Sequence, residues 1–165
     1  MVREPGSTSD FTVIFDKEME DQDFASIHRF VKGMTDTLSC VGLVAVIHDD
    51  DVLFLTLVEN GVVVDRYDSS PGYFDSEVSH LPPKGGHAEL ICRHFRRPDS
   101  HHHLRQLLRA NLIEGDMPGI VGEKARYSAI ASTIGLPDFC AHVTYSSIAG
   151  EYLPKEFQRI QFESI

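Results

Sequence analysis

The segment Lys84-Gly85-Gly86-His87, directly before a predicted helix, has the residue types of a small anion-binding site. Glycines let backbone N–H groups approach an anion, the helix dipole favours negative charge, and Lys84 adds a cation. The segment is not a Walker loop, which places Lys-Ser or Lys-Thr after its last glycine, nor a GxGxxG fingerprint after a strand. Two glycines before a helix can also be only a flexible connection, so both interpretations stay open.

A second candidate is the aromatic loop that follows the last predicted strand of the first half of the chain. Its turn, Ser70-Pro71-Gly72-Tyr73, suits type II geometry because Pro takes the second position and Gly the third. Tyr and Phe in a loop often form a recognition surface, and the alternative is a loop pinned over an apolar face of the sheet. Together with the glycine segment, the weak candidates for ligand contact are Tyr67, Asp68, Tyr73, Lys84, Gly85, Gly86 and His87.

A basic cluster lies within residues 84–109, which hold six Lys and Arg side chains against two carboxylates. The candidate docking residues in it are Arg93, Arg96, Arg97, Arg105 and Arg109. In an otherwise acidic chain this cluster could dock an acidic partner, or the acidic N-terminal segment of a second copy. Its more ordinary role would be to balance charge on solvated helix faces.

Metal-site and nucleophile patterns are missing from the sequence. There are nine histidines, including His101-His102-His103, but no His-x-x-x-His or Cys-x-x-Cys spacing. The run Asp49-Asp50-Asp51 lacks the alternating ligands and the glycine of a calcium loop, which favours a solvated turn. No Gly-x-Ser-x-Gly elbow occurs. We therefore expect no metal, no cofactor and no catalytic residue, although a Cys–His pair could still meet in space.

Composition narrows the class of protein. The 165 residues carry 15 Lys+Arg against 25 Asp+Glu, a formal charge of −10, which disfavours nucleic acid and anionic membranes as partners. No apolar run is long enough to span a bilayer, and the three cysteines lie far apart in apolar surroundings. We expect a cytoplasmic protein with reduced thiols. Residues 1–23 hold seven carboxylates against two basic residues, and residues 1–10 are predicted to be disordered.

The elements that must position these groups follow from periodicity. A strand is predicted at Phe11–Phe15, and an amphipathic helix from Asp23, its N-cap, to Leu38. Three strands follow, at Val41–Ile47, Val52–Val58 and Val62–Asp68, with an Asn60-Gly61 type I′ turn before the third. Later helices are marked by Ala88 to Phe95, by Leu104 to Leu112 after an Asp99 or Ser100 cap, and by Tyr127 to Ile134 before Gly135. Further strands are possible at Cys140–Tyr145 and at Phe157–Phe162.

The tight turn predicts a register for the second and third strands. The expected pairs are Glu59–Val62, Val58–Val63, Leu57–Val64, Thr56–Asp65, Leu55–Arg66 and Phe54–Tyr67. One face of the middle strand then carries the leucines of the core. The other face carries Phe54, Val58, Val63 and Tyr67, so it is half apolar and should be covered or should line a groove.

These observations predict one α+β domain over residues 1–165, an antiparallel meander packed with an N-terminal helix and a later three-helix section. No resemblance to a known family is apparent. The leading hypothesis is a non-catalytic interaction protein whose partner is another protein or a second copy. The alternative is a domain that binds a small anionic ligand, or a cryptic enzyme, with a pocket between the sheet and residues 67–87. The discriminating observation is whether Tyr67, Tyr73, Lys84 and His87 line one enclosed pocket.

Overall fold

The computed structural model of the chain describes residues 2–3, 11–75, 81–112, 115–142, 144–146 and 158–159. The predicted disorder of residues 1–10 falls outside this part, apart from Val2–Arg3. Those two residues form strand β1, which pairs antiparallel with β6, Gln158–Arg159. The latter pair lies within the strand predicted at Phe157–Phe162, whose other residues are outside the described part. None of the described helices is long and apolar enough to cross a membrane.

An antiparallel sheet forms the centre of the fold, as the predicted α+β class requires. Its strands are β2 (Val41–His48), β3 (Val52–Glu59), β4 (Val62–Asp68) and β5 (Lys84–Gly85), in that spatial order. The first three are the predicted meander. The short β5 was not predicted, because two residues between a loop and a helix leave no periodic signal.

The turn between β3 and β4 confirms the Asn-Gly prediction. Asn60 has φ 47° and Gly61 has φ 77°, so both central residues adopt the positive φ values that a type I′ turn needs. Glu59 faces Val62 and Val58 faces Val63, as expected.

Beyond those two pairs the predicted register is wrong. A β-bulge at Leu57/Val58 places one extra residue, Val64, in β4, and an extra residue reverses the face of every side chain after it. The observed pairs are Leu57–Asp65, Thr56–Arg66, Leu55–Tyr67 and Phe54–Asp68. Asp65 and Tyr67 therefore turn to the core face, where both are buried.

Helix α1, Phe24–Leu38, covers one face of the sheet. Asp23 caps it as predicted, since its carboxylate accepts hydrogen bonds from the backbone N–H groups of Ala25 and Ser26. Helix α1 packs closely on β2 at Gly42, where an added Cβ would lie 2.9 Å from the side chains of Val31 and Thr35.

The other face is covered by helices α2 (Ala88–His94), α3 (His101–Arg109) and α4 (Gly122–Ile134), at the places of the three predicted helices. The second of them is shorter than predicted, because the backbone becomes extended at Ala110 and α3 does not reach Leu112. Gly135 ends α4 with φ 79°, as its sequence position predicts. The largest buried cluster joins the core face of the sheet to these helices. Its members include Leu53, Leu55, Leu57, Tyr67, Ile91, Leu104, Leu107, Leu108, Tyr127, Ile130 and Ile134.

Two predicted strands are absent from the residues that the structure describes. At Phe11–Phe15 only Val13 makes an isolated bridge, because the segment is anchored by side chains: Phe11 stacks on Phe95, with ring centroids 5.4 Å apart. Gln22 donates from Nε2 to the carbonyl of Ile47 at 3.1 Å, which ties the end of the segment before α1 to β2, the edge strand. At Cys140–Tyr145 the chain instead makes a 3₁₀ helix, Asp138–Ala141, which buries Ala141 in the core.

Candidate functional site

Six aromatic rings form a continuous surface on the α1 side of the sheet. We call it the aromatic surface, and it consists of Phe24, His28, His48, Phe54, Tyr73 and Phe74. Adjacent centroids lie 5.0 to 6.3 Å apart, the separation of favourable aromatic pairs. None of the six residues is buried, so every ring keeps some contact with solvent.

The loop after β4 brings Tyr73 and Phe74 to this surface. Tyr73 N–H donates to the carbonyl of Ser70 at 3.0 Å, and Gly72 has φ 88°, as the predicted type II turn requires. The Tyr73 hydroxyl donates to Asp51 Oδ2 at 3.0 Å, which ties the loop to the hairpin between β2 and β3. The loop is thus pinned over the sheet, as one of the two alternatives predicted, and it still exposes Tyr73 and Phe74 to solvent. Whether it is a recognition surface stays a prediction.

Phe74 is the most exposed ring of the aromatic surface, with 65% of its area accessible, and Tyr73 is 38% exposed. Phe74 nevertheless contacts three other rings. It stacks on Phe54 with an interplanar angle of 9° and meets His48 and Tyr73 edge to face at 68° and 88°. These contacts fix the orientation of an otherwise exposed apolar side chain.

The three aspartates at the hairpin tip have different roles. Asp50 caps α4 from a distance, because its Oδ1 accepts from Lys124 N–H at 2.6 Å and its carbonyl accepts from Glu123 N–H at 3.0 Å. Asp51 accepts from Tyr73, and Asp49 lies 3.4 Å from His48 Nε2 with 76% of its side chain exposed. The nearby carboxylates, led by the hydrogen bond from Tyr73 to Asp51, raise the pKa of Tyr73.

Six of the seven predicted ligand residues lie together, along β4 and β5 and the start of α2. Gly85 pairs with Tyr67 and Lys84 with Asp68. An added Cβ at Gly85 would lie 1.9 Å from the Arg66 carbonyl oxygen, so this glycine is required by close strand pairing. Tyr73 is not part of the group, since it contacts His48 on the α1 side.

The N-terminus of α2 receives an anion from within the chain. Asp65 accepts hydrogen bonds from His87 N–H at 2.6 Å and from His87 Nδ1 at 2.8 Å, and its own side chain is 4% exposed. The sequence did not single out Asp65, because only the bulge in β4 turns it toward α2. The backbone N–H of His87, one of the groups predicted to bind an external anion, therefore donates to a carboxylate of the chain itself.

A buried charge cluster connects α4 to β4 and also escaped the sequence analysis. Arg126 donates to the Tyr67 hydroxyl and, from Nη2, to the carbonyl of Ala110 at 2.8 Å. Its Nε lies 3.1 Å from Glu123 Oε2, but the two atoms are not aligned for a hydrogen bond. Burial raises the pKa of Glu123, and the Arg126 charge opposes this shift.

Glu123 and Arg126 line a cleft with Ser69, Asn111 and Leu112. Its volume is about 30 Å³, space for one or two water molecules, whereas ligand pockets usually have about 300–1,000 Å³. Tyr67, Tyr73, Lys84 and His87 do not line this cleft. The arrangement can hold α4 against the sheet, and it offers little room for an organic ligand.

The five candidate docking arginines are all exposed on and after α2 and on α3. Arg105 pairs with Glu89, and Arg109 donates to the Gly86 carbonyl at 3.2 Å. The Arg97 guanidinium lies at the C-terminal end of α4, within 2.9 Å of where a Cβ on Gly135 would be. The side chains of Arg97, Arg105 and Arg109 are thus each placed against another part of the chain.

Cys92 and the histidines are the remaining candidates for thiol or metal chemistry. Cys92 is fully buried, and burial raises its pKa, which makes its thiol a poor nucleophile. Within the described ranges, no three His, Cys, Asp or Glu side chains are grouped so that they could hold a metal ion. His101 and His102 contact each other at the start of α3.

The sequence matches no protein-family model and no curated protein, and no solved structure matches the chain.

Proposed function

We propose that this chain is a non-catalytic protein-binding domain that docks its partner on the aromatic surface. The observation that carries the proposal is the exposed ring of Phe74, held in a fixed orientation by contacts with Phe54, His48 and Tyr73. Aromatic side chains are enriched in the energetically important centres of protein interfaces.

Preorganisation supports this assignment. Ordering a flexible side chain on binding costs about 0.5–1.5 kcal/mol, and a ring that is already oriented avoids most of that cost. Contiguous apolar area on a protein surface often marks an interaction site. The aromatic surface combines both properties, because its rings are accessible and packed on one another.

The other candidate sites have weaker support. A small-ligand site would need more room than the cleft beside Glu123, at about 30 Å³, provides. The basic cluster could dock an acidic partner, but Arg105 and Arg109 already have partners within the chain. We therefore favour the aromatic surface as the docking site and keep the basic cluster as a second candidate.

The test is capture of partners from an extract of the native cells, with the chain immobilised and the bound proteins quantified by mass spectrometry. The double variant Tyr73→Ala/Phe74→Ala should lose about tenfold or more of the specific partner, because truncating central aromatic residues typically costs 2 kcal/mol or more. A matched control is Leu38→Ala, since Leu38 is 63% exposed but lies at the opposite end of α1.

Retention of the partner by the Leu38→Ala control and its loss from the double variant would support the proposal. Equal retention by wild type and the double variant, with unchanged circular dichroism, would show that the aromatic surface does not bind it.

A further inference from the structure

We infer that the partner presents a cationic segment, with an arginine or lysine side chain seated over Phe74 and between the carboxylates of Asp49 and Asp51. This inference rests on the proposed function and specifies the chemistry of the partner. It follows from the geometry of the rings and from the distribution of charge around them.

The ring of Phe74 is the most accessible part of the aromatic surface, with 65% of the residue exposed to solvent. It stacks on Phe54, with planes at 9° and centroids 6.3 Å apart, and it makes T-shaped contacts with Tyr73 and His48. These contacts hold the ring while most of its area stays open to a partner. A guanidinium or ammonium group placed over an aromatic face within about 6 Å gains about 0.5–1 kcal/mol at an exposed site.

Carboxylates surround this part of the aromatic surface. Asp51 touches the Tyr73 hydroxyl at 3.0 Å, and Asp49 lies 3.4 Å from His48 with most of its side chain exposed. Asp75, which follows Phe74, is also exposed. The negative potential of Asp49 and Asp51 is felt at Tyr73, whose pKa they help to raise.

Basic side chains lie near another part of the aromatic surface, around His28. There, the positive charges of Arg66 and Lys32 join burial in lowering the pKa of that histidine. An acidic segment over Phe74 would meet carboxylates of like charge, which costs free energy. A cationic side chain suits the Phe74 end, so the partner's charge pattern and its orientation are both constrained.

Nuclear magnetic resonance titration of the full chain tests the inference, since a molecule of 18.5 kDa gives resolved amide spectra. The probe is the blocked pentapeptide acetyl-Gly-Arg-Gly-Arg-Gly-amide, with the same peptide carrying Glu in place of Arg as comparison. We expect the Arg peptide to shift amides of residues 48–51 and 72–75. Phe74→Ala should weaken its binding about threefold or more, with Leu38→Ala unchanged.

A second pair of variants separates local from overall charge. Asp49→Asn/Asp51→Asn keeps an acceptor for the Tyr73 hydroxyl but removes two charges, and it should weaken binding of the Arg peptide. The control Asp36→Asn/Asp99→Asn removes two exposed charges elsewhere and should leave the affinity within about twofold, because charges beyond a Debye length are largely screened.

The inference would be overturned by equal binding of the Glu peptide, by shifts centred on α2 and α3, or by no effect of Phe74→Ala. Concentration-dependent shifts of the same amides in the peptide-free protein would also overturn it, since they would make a second copy the occupant. If the inference fails while partner capture still depends on Tyr73 and Phe74, the proposed function stands with a partner of different charge. If capture is also independent of them, both fail.

Discussion

Asp65 is the residue whose role departs most from its appearance in the sequence. A charged residue such as Asp65, in a strand between Val64 and Arg66, is expected to face solvent. Its side chain is instead buried and accepts a hydrogen bond from His87. Two of its hydrogen bonds come from His87 and a third from the backbone N–H of Arg66 at 2.9 Å. It therefore fixes the start of α2 to the sheet.

Asp65→Asn should lower the free energy of unfolding by about 1–3 kcal/mol, because the amide lies at a buried position and cannot accept all these bonds. Urea unfolding followed by circular dichroism measures this change. Asp21→Asn, at an exposed position, is the control and should change stability by less than about 0.5 kcal/mol. A change in Asp65→Asn as small as in the control would refute the clamping role of Asp65.

The aromatic loop could be recognised in the sequence, but the complete aromatic surface could not. Tyr73 belongs to a local turn signal and is a candidate from the sequence, and Phe74 is the next residue of the same aromatic loop. Phe24, His48 and Phe54 join them only through the packing of α1 and two strands. Tyr67 was grouped with Tyr73 in the sequence, and the bulge places it on the opposite face of the sheet.

At the scale of elements, local signals predicted most of what is observed. The cap at Asp23, the Asn60-Gly61 turn and the stop at Gly135 each depend on a few neighbouring residues, and each is confirmed. The bulge and the missing strand at Phe11–Phe15 depend on long-range contacts. A segment with strand-like residues can bury its apolar side chains without pairing with a strand of the sheet. Phe11 does this by stacking on Phe95.

Helix α1 contributes a pH-sensitive contact with the sheet. His28 Nε2 lies 3.1 Å from Thr56 Oγ1, and burial, aided by Arg66 and Lys32, lowers the pKa of His28 below its ordinary value. The folded state therefore favours the neutral ring, and the unfolded state binds the proton more readily. This contribution to stability is present above about pH 6.5 and is lost as the pH falls.

We expect the fall in unfolding free energy between about pH 7.5 and pH 5.5 to be smaller in His28→Gln than in wild type. Gln can still bond Thr56 but has no charge to gain. Unfolding curves at both pH values measure the difference, with His102→Gln on the exposed side of α3 as control. If His28→Gln and wild type lost the same free energy, the pH sensitivity would have to arise elsewhere.

In the molecule as a whole, α1 covers one face of the sheet, and α2, α3 and α4 cover the other face. The formal charge of −10 is distributed unevenly. Exposed arginines lie on α2, directly after α2 and on α3. The hairpin tip beside the aromatic surface instead carries the carboxylates of Asp49 and Asp51. A partner that binds the aromatic surface therefore contacts an acidic part of the molecule, whereas a partner that binds α2 and α3 would contact a basic part.

Site-specific photo-crosslinking tests the central claim most directly. Benzoylphenylalanine would replace Phe74 in one sample and Leu38 in another, and both would be irradiated in extract of the native cells. Docking on the aromatic surface predicts a discrete crosslinked partner from position 74 and none from position 38, with competition by unlabelled wild-type protein. No adduct at position 74, or the same adducts from both positions, would contradict it.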